Sequence, residues 1–152
     1  MTKKRILLID DEEGFTRLLK LNLEQMCDYE VHVVNGAERA VSVAREFRPD
    51  LVLLDFIMPR MIGNDVAARL RSEAGLLKTP IIFLSAVCSR NPSDERNRAL
   101  AGYPYIAKPA TLEEVIDGIE RHLPTGASEH QTNAAFALDK FHGRTRAAET
   151  NF

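Results

Sequence analysis

The feature that most constrains the fold is an apolar run that ends on one carboxylate, in the segment DLVLLDFIMP from Asp50 to Pro59. Residues 51–54 show no alternation of apolar and polar side chains. This pattern is typical of a strand that is covered on both faces in a parallel sheet. The run ends at Asp55, at the carboxyl edge of such a sheet. Because ligands bind at that edge in open α/β sheets, Asp55 is a candidate site residue.

The rest of the chain repeats a unit of one short strand followed by one helix. The predicted strands are 5–9, 29–34, 51–55, 80–84 and 103–107, and the predicted helices are 14–26, 37–47, 64–72, 89–101 and 111–123. Ser93, after Pro92, is the predicted N-cap of the fourth helix, which has few apolar positions. Thr111 and Glu114 have the spacing of a capping box at the start of the last helix.

This alternation predicts an α/β fold in which helices cover both faces of a parallel sheet, because right-handed crossovers place each helix over the sheet. For five units the leading topology is a flavodoxin-like (βα)5 three-layer sandwich. Its five-stranded parallel sheet has the order 2-1-3-4-5. The first and third strands then flank the switch point, which brings Asp10, Asp11 and Asp55 together.

Composition limits the class of protein. The chain has 152 residues, which predicts one domain over 1–123 and a tail over 124–152 without an effector domain. The net charge of −2 gives no electrostatic footprint for nucleic acid. The apolar runs are too short for a signal peptide or a membrane span, so we expect a cytoplasmic protein. Cys27 and Cys88 lack metal-ligand spacing and are expected to be free thiols.

The tail leaves two alternatives open. Residues 133–141 carry the apolar side chains Phe136, Leu138 and Phe141 at a spacing that a short helix would use. A helix of that length is marginal without a surface to pack on. The tail is therefore either largely disordered or weakly docked, or it forms a helix that contacts a partner or a second subunit.

The residues at the predicted strand ends suggest phosphoryl chemistry. Three converging carboxylates repel one another unless a cation neutralises them, and Mg²⁺ prefers an all-oxygen ligand set. A carboxylate beside a metal-bound phosphate can act as a nucleophile and form an aspartyl-phosphate. Ser85 and Lys108, at the ends of strands 4 and 5, would face the oxygens of a phosphoryl group on Asp55. The Lys108-Pro109 pair also favours a cis peptide that would turn the lysine inward.

Four segments of the chain together resemble the receiver domains of two-component response regulators, the CheY-like family. They are LLIDD (7–11), DLVLLDFIMP (50–59), PIIFLSA (80–86) and YIAKP (105–109), and the likeness extends over about 3–123. The resemblance implies that Asp55 is the phosphoacceptor and that Ser85 and Lys108 bind the phosphoryl group. It also implies that Mg²⁺ is held by Asp10, Asp11, Asp55 and the backbone carbonyl of Ile57, and that Ser85 and Tyr105 form the conformational switch.

The resemblance also implies partners. A histidine kinase or phosphotransfer protein would supply the phosphoryl group, and a downstream protein would bind the face built from the fourth helix, the fifth strand and the last helix. Such a chain is a signalling domain of a phosphorelay whose only chemistry is its own phosphorylation and dephosphorylation. Neither nucleic acid nor a membrane is an expected partner, and formation of a homodimer stays open.

Two features depart from the family pattern. The region from Ser85 to the fifth strand differs in length from the usual one, so the fourth helix and its flanks are expected to be irregular. Ile57 and Val87, each two residues beyond a site residue, are apolar where many relatives carry a polar group. We expect poor positioning of an attacking water and a comparatively long-lived phosphorylated form.

Two other classes of protein fit less well. A haloacid-dehalogenase-like phosphatase would carry a DxD motif on the first strand, whereas here Asp10 and Asp11 are adjacent and the better nucleophile follows strand 3. A dinucleotide-binding domain would need a GxGxxG motif after strand 1. The acidic residues 10–13 would repel a pyrophosphate at that position.

Overall fold

The computed structural model describes residues 2–124 of the chain. The tail predicted from residue 124 onwards, with its short helix over 133–141, lies outside the described residues apart from Pro124. Among residues 2–124, no helix combines the length and the apolar character that crossing a membrane requires.

In the described part of the chain, five parallel strands form the central sheet. They are β1 (Lys4–Ile9), β2 (Tyr29–Val34), β3 (Leu51–Asp55), β4 (Ile81–Ser85) and β5 (Tyr105–Ala107). Their order is β2-β1-β3-β4-β5, with every pair parallel, which confirms the predicted topology. The central strand, β3, is buried along its whole length, as its unalternating apolar sequence indicated.

Within residues 2–124, four α-helices pack on the sheet. They are α1 (Glu13–Met26), α2 (Ala40–Phe47), α3 (Gly63–Ser72) and α4 (Leu112–His122), and a 3₁₀ turn at Ala37–Arg39 precedes α2. Buried residues of α1 and α4 share one apolar cluster with Leu51 and Leu53. Buried residues of α2 and α3 share the other with Val52 and Leu54. The sheet is therefore covered on both faces, and the architecture has three layers.

Local features of the sequence account for several connections between the elements of this fold. Thr111 and Glu114 form the predicted capping box at the start of α4. The Lys108–Pro109 peptide is cis, as the sequence favoured. Cys27 and Cys88 are free cysteines. After β3, the pairs Ile57–Met58 and Met61–Ile62 form a small antiparallel hairpin that leads into α3.

The predicted fourth helix over 89–101 is wrong in extent and type. A six-residue 3₁₀ helix occupies Glu95–Leu100, and its N-cap is Asp94, which accepts a hydrogen bond from the Arg96 backbone, rather than Ser93. Leu100 is the buried residue of this element. Since helices in proteins are stabilised chiefly by an apolar face, a segment with so little buried surface does not sustain an α-helix. We call Glu95–Leu100 the 3₁₀ segment.

Gly63 provides a test of packing at the start of α3. A Cβ atom at this position would lie 2.9 Å from the Asp55 carbonyl oxygen, 2.9 Å from Phe56 Cα and 2.8 Å from the Phe83 ring. We expect Gly63→Ala to lower the free energy of unfolding by about 1–3 kcal/mol, because backbone atoms would have to move. Urea denaturation would measure the change.

Gly14→Ala is the matched control. Gly14 lies in the first turn of α1, and an added Cβ would meet nothing within 4 Å. Alanine at this helical position should leave stability unchanged or raise it by up to ~1 kcal/mol. Equal stabilities of the two variants would show that Gly63 is not closely packed.

Candidate functional site

The carboxyl edge of the sheet carries a polar cleft of about 460 Å³. Strands β1, β3, β4 and β5 each deliver a predicted site residue to it, because parallel strands end at the same edge. The residues that line the cleft are Asp10, Asp11, Glu12, Asp55, Ile57, Ser85, Ala86, Val87 and Lys108. The structure therefore brings together the predicted metal-binding and phosphoryl-binding residues.

Three of the four carboxylates that line the cleft converge on one point. One oxygen atom from each of Asp10, Asp11 and Asp55 lies within 4.8 Å of the others. Asp10 and Asp55 are buried, whereas Asp11 is exposed. Oxygen donors at such short separations are suited to a hard divalent cation, which would also offset their mutual repulsion.

Asp10 is fixed through both its backbone and its side chain. Its N–H donates to the Val34 carbonyl over 3.1 Å, and its Oδ1 accepts the Glu12 N–H over 2.9 Å. The Asn35 amide donates to the Asp10 carbonyl over 2.8 Å and to Thr16 Oγ1 over 2.9 Å. Sequence reasoning missed Asn35, although a polar residue directly after β2 at the same sheet edge was an available signal.

Lys108 is the cation of the cleft. Its Nζ lies 2.6 Å from Asp10 Oδ2 and 3.8 Å from Asp55 Oδ1. The same atom lies 4.4 Å from the centre of the Phe15 ring, within the range of a cation–π contact. Its backbone N–H donates to the Ser85 carbonyl over 2.8 Å, which joins the ends of β4 and β5. Phe15 was predicted only as a helix residue, and no sequence signal marked this contact.

The environment of Asp55 opposes its negative charge. Burial raises the pKa of Asp55 from its ordinary 3.8 to about 7, and the nearby Asp10 carboxylate contributes in the same direction. Lys108 and the backbone N–H of Ile57 act against this rise. The carboxylate that the strand places at the centre of the cleft is therefore costly to ionise until positive charge is added.

Ser85 and Tyr105 lie on neighbouring strands. Ser85 is buried at the end of β4, and its Oγ accepts the Val87 N–H over 3.1 Å. Tyr105 begins β5, two residues before Ala107, which pairs with Ser85. Its half-buried ring packs against the apolar cluster of α2 and α3, and its hydroxyl accepts a hydrogen bond from Asn97 over 2.9 Å.

The two apolar residues noted in the sequence lie at the mouth of the cleft. Ile57 and Val87 both line it, and these residues are 55% and 42% exposed. Ile57 also pairs with Ile62, 53% exposed, across the small hairpin. Acidic residues inside the cleft and apolar residues at its mouth therefore lie side by side at this edge of the sheet.

The sequence model of the response regulator receiver domain family matches residues 6–120. The chain belongs to this family. The match confirms the resemblance seen in the four sequence segments and includes residues of all five strands of the sheet.

Related proteins agree with this assignment. The transcriptional regulatory protein SrrA of Staphylococcus aureus is 36% identical over 116 residues, which are 73% of this chain and 44% of that protein. The chain thus spans less than half the length of that relative. The chemotaxis protein CheY4 of Vibrio cholerae has the same fold, with a TM-score of 0.70 over 80% of this chain and 99% of the other at 23% identity.

A third relative bears on the acidic cleft. The receiver domain of the sensor histidine kinase PA1611 from Pseudomonas aeruginosa is 27% identical, with a TM-score of 0.69 over 81% of this chain and 99% of that domain. Its structure holds a magnesium ion coordinated in the active-site cleft.

The receiver domain should show a pH-dependent stability that originates at Asp55. A carboxyl group whose pKa is higher in the folded state binds more protons when folded. Its contribution to stability therefore falls as the pH rises from about 4 to about 7. In metal-free buffer, Asp55→Asn should therefore unfold with a larger free energy than the wild type at pH 8, by roughly 1–3 kcal/mol.

The difference between the two proteins should shrink as the pH falls towards 4, as measured by urea denaturation at several pH values with a chelator present. Asp65→Asn, at an exposed position of α3, is the control and should change little with pH. A wild-type to Asp55→Asn difference that is constant across this range would contradict the origin assigned to it.

Proposed function

We propose that this receiver domain accepts a phosphoryl group on Asp55 from a histidine kinase or phosphotransfer protein, with Mg²⁺ as the cofactor. The observation that carries the proposal is the position of Asp55. This buried carboxylate lies at the sheet edge, with oxygens of Asp10 and Asp11 within 4.8 Å and the Lys108 ammonium 3.8 Å away. Membership of the receiver family supports the same assignment.

The donor set fits Mg²⁺. Asp10, Asp11 and Asp55 would supply carboxylate oxygens, and the Ile57 backbone carbonyl would complete the protein ligands. When bound, the ion neutralises the carboxylates and the oxygens of the incoming phosphoryl group. The magnesium seen in the receiver domain of PA1611 supports this choice of metal.

In the proposed transfer, an Asp55 carboxylate oxygen forms the new bond to phosphorus while the bond from phosphorus to the donor atom breaks. With a phosphohistidine donor that carries a proton on its other ring nitrogen, the imidazole takes the electron pair of the P–N bond and leaves as a neutral ring. The carboxylate must be ionised to attack, so added positive charge that lowers the pKa of Asp55 from about 7 favours the reaction.

Two residues would stabilise the phosphoryl oxygens. The Lys108 ammonium already faces both Asp10 and Asp55 and carries three donors. The Ser85 hydroxyl accepts the Val87 N–H with its oxygen, which leaves its own hydrogen for a phosphoryl oxygen. Both groups are placed to offset the charge that develops during transfer.

The output of the domain would be conformational. Ser85 and Tyr105 would change position together, and a downstream protein would bind the surface formed by the 3₁₀ segment, β5 and α4. Phosphorylation can shift a population only if it contacts the two states differently, and a hydroxyl drawn towards the phosphoryl group provides such a contact. The catalysis is limited to the domain's own phosphorylation and dephosphorylation.

Phosphorylation by a small donor tests the proposal. Incubation with acetyl phosphate and Mg²⁺ should add one phosphoryl group per chain, as read by intact-protein mass spectrometry. Asp55→Asn should remain unmodified, because it lacks the nucleophile, whereas Asp65→Asn on α3 should be modified like the wild type. Equal modification of Asp55→Asn would refute the assignment, and hydrolysis of many equivalents of a phosphomonoester, which is not a donor for this transfer, would indicate a phosphatase instead.

The side chain of Ile57 should set the lifetime of the phosphorylated form. Because this apolar group lines the cleft, it offers no hydrogen bond to an attacking water. Ile57→Asn should therefore speed the loss of the phosphoryl group by about tenfold, the range of one positioned hydrogen bond. Ile62→Asn, a similarly exposed position of the same hairpin, is the control. A rate that is unchanged or slower in Ile57→Asn would contradict this role.

A further inference from the structure

The side chain of Asn97 joins the Tyr105 hydroxyl to the turn that follows β4. Its Nδ2 lies 2.9 Å from Tyr105 Oη, 2.8 Å from the Asn91 carbonyl and 3.2 Å from the Ser89 carbonyl. Its Oδ1 accepts the Ser89 N–H over 2.9 Å. One half-buried amide therefore connects three separate points of the chain.

Asn97 lies within the 3₁₀ segment that replaces the predicted fourth helix. Leu100, three residues later, anchors this segment in the apolar cluster that contains Cys88 and against which Tyr105 packs. The backbone around Asn97 is consequently held against the core on one side. Its side-chain amide forms hydrogen bonds to the turn and to the Tyr105 hydroxyl.

The turn held by Asn97 begins at Ser85. Cys88 Sγ donates to the Ser85 carbonyl over 3.2 Å, and Ser89 is the next residue along the chain. A movement of Ser85 towards a phosphoryl group would therefore be transmitted to Ser89 and to the amide that contacts it. This is a contiguous set of contacts between the site and Tyr105, which is a testable basis for coupling.

We propose that Asn97 is a positioning residue, which holds the Tyr105 hydroxyl at the 3₁₀ segment and couples the orientation of that ring to the position of Ser85. The proposal rests on the phosphoacceptor function proposed above. The Asn97–Tyr105 hydrogen bond is present in the unphosphorylated chain and belongs to one orientation of the ring, so it favours the state in which Asp55 is unphosphorylated. Loss of one neutral hydrogen bond should shift this equilibrium about fivefold.

A first measurement detects the ring itself. Protein labelled with fluorotyrosine has three tyrosine signals, from Tyr29, Tyr103 and Tyr105, in its fluorine NMR spectrum. Asn97→Ala should shift the Tyr105 signal in the unphosphorylated protein and leave that of Tyr29 in place. Asn91→Ala is the matched control, because its side chain contacts the Ser93 N–H in the same turn. A Tyr105 signal that moves equally in both variants, or in neither, would overturn the proposal.

A double-mutant cycle then separates the contact of Asn97 with Tyr105 from the contacts of Asn97 with the turn. Tyr105→Phe removes the hydroxyl and keeps the ring, and it leaves the bonds of Asn97 to Ser89 and Asn91 in place. Asn97→Ala and Tyr105→Phe should each raise the rate of phosphorylation by acetyl phosphate about fivefold. The double variant should be no faster than the single variants, because both remove the same interaction.

The outcomes distinguish this proposal from the one on which it rests. A wild type that acquires no phosphoryl group on Asp55 would remove the phosphoacceptor function and this inference with it. In another outcome, the wild type is phosphorylated and the effects of the two substitutions on the rate multiply in the double variant. That result would overturn the role of Asn97 and leave the phosphoacceptor function in place. If Asn97→Ala fails to fold, Tyr105→Phe still decides, because a rate equal to that of the wild type would refute the contribution of the hydroxyl contact.

Discussion

The repulsion among three carboxylates at one edge of the sheet is the constraint on which the rest of the site depends. Asp10 and Asp55 are carried by adjacent buried strands, so neither can move away without disturbing the core. Lys108 offsets part of this charge through its contact with Asp10, yet the pKa of Asp55 is still raised to about 7. The cleft therefore favours the binding of a cation, either alone or together with a ligand.

The neighbouring loops are bound closely to the strand ends that carry these charges. Asn35 holds the Asp10 carbonyl, and Lys108 reaches the Ser85 carbonyl through its backbone N–H. Gly63 leaves room for α3 to start beside the Asp55 carbonyl. Each contact fixes backbone atoms next to a residue of the cleft, so the strand ends hold the carboxylates and the lysine at short separations.

Much of this arrangement could be predicted from the sequence. The unalternating runs of β3 and β4 identified buried parallel strands, and the five strand and helix units defined the sheet order. Once that order was known, Asp10, Asp55, Ser85 and Lys108 had to meet, because a residue at the end of a parallel strand has little freedom of position.

The errors and omissions have physical causes. The 3₁₀ segment was predicted as a longer helix, because local propensity does not reveal how little of that segment the core would bury. Phe15, Asn35 and Asn97 were missed because their roles depend on side-chain contacts between elements distant in sequence. The surface expected for a downstream partner consequently contains a 3₁₀ segment where the fourth helix was predicted. The hydrogen bond from Asn97 to the Tyr105 hydroxyl joins this segment to β5.

Chemical mapping of the phosphorylated residue tests directly whether Asp55 is the phosphoacceptor. Reduction of the phosphorylated protein with borohydride converts an aspartyl-phosphate into homoserine, which peptide mass spectrometry locates. We expect homoserine at position 55 and unmodified aspartates at positions 10 and 11. Homoserine at either of those positions, or its absence from a phosphorylated chain, would contradict this assignment.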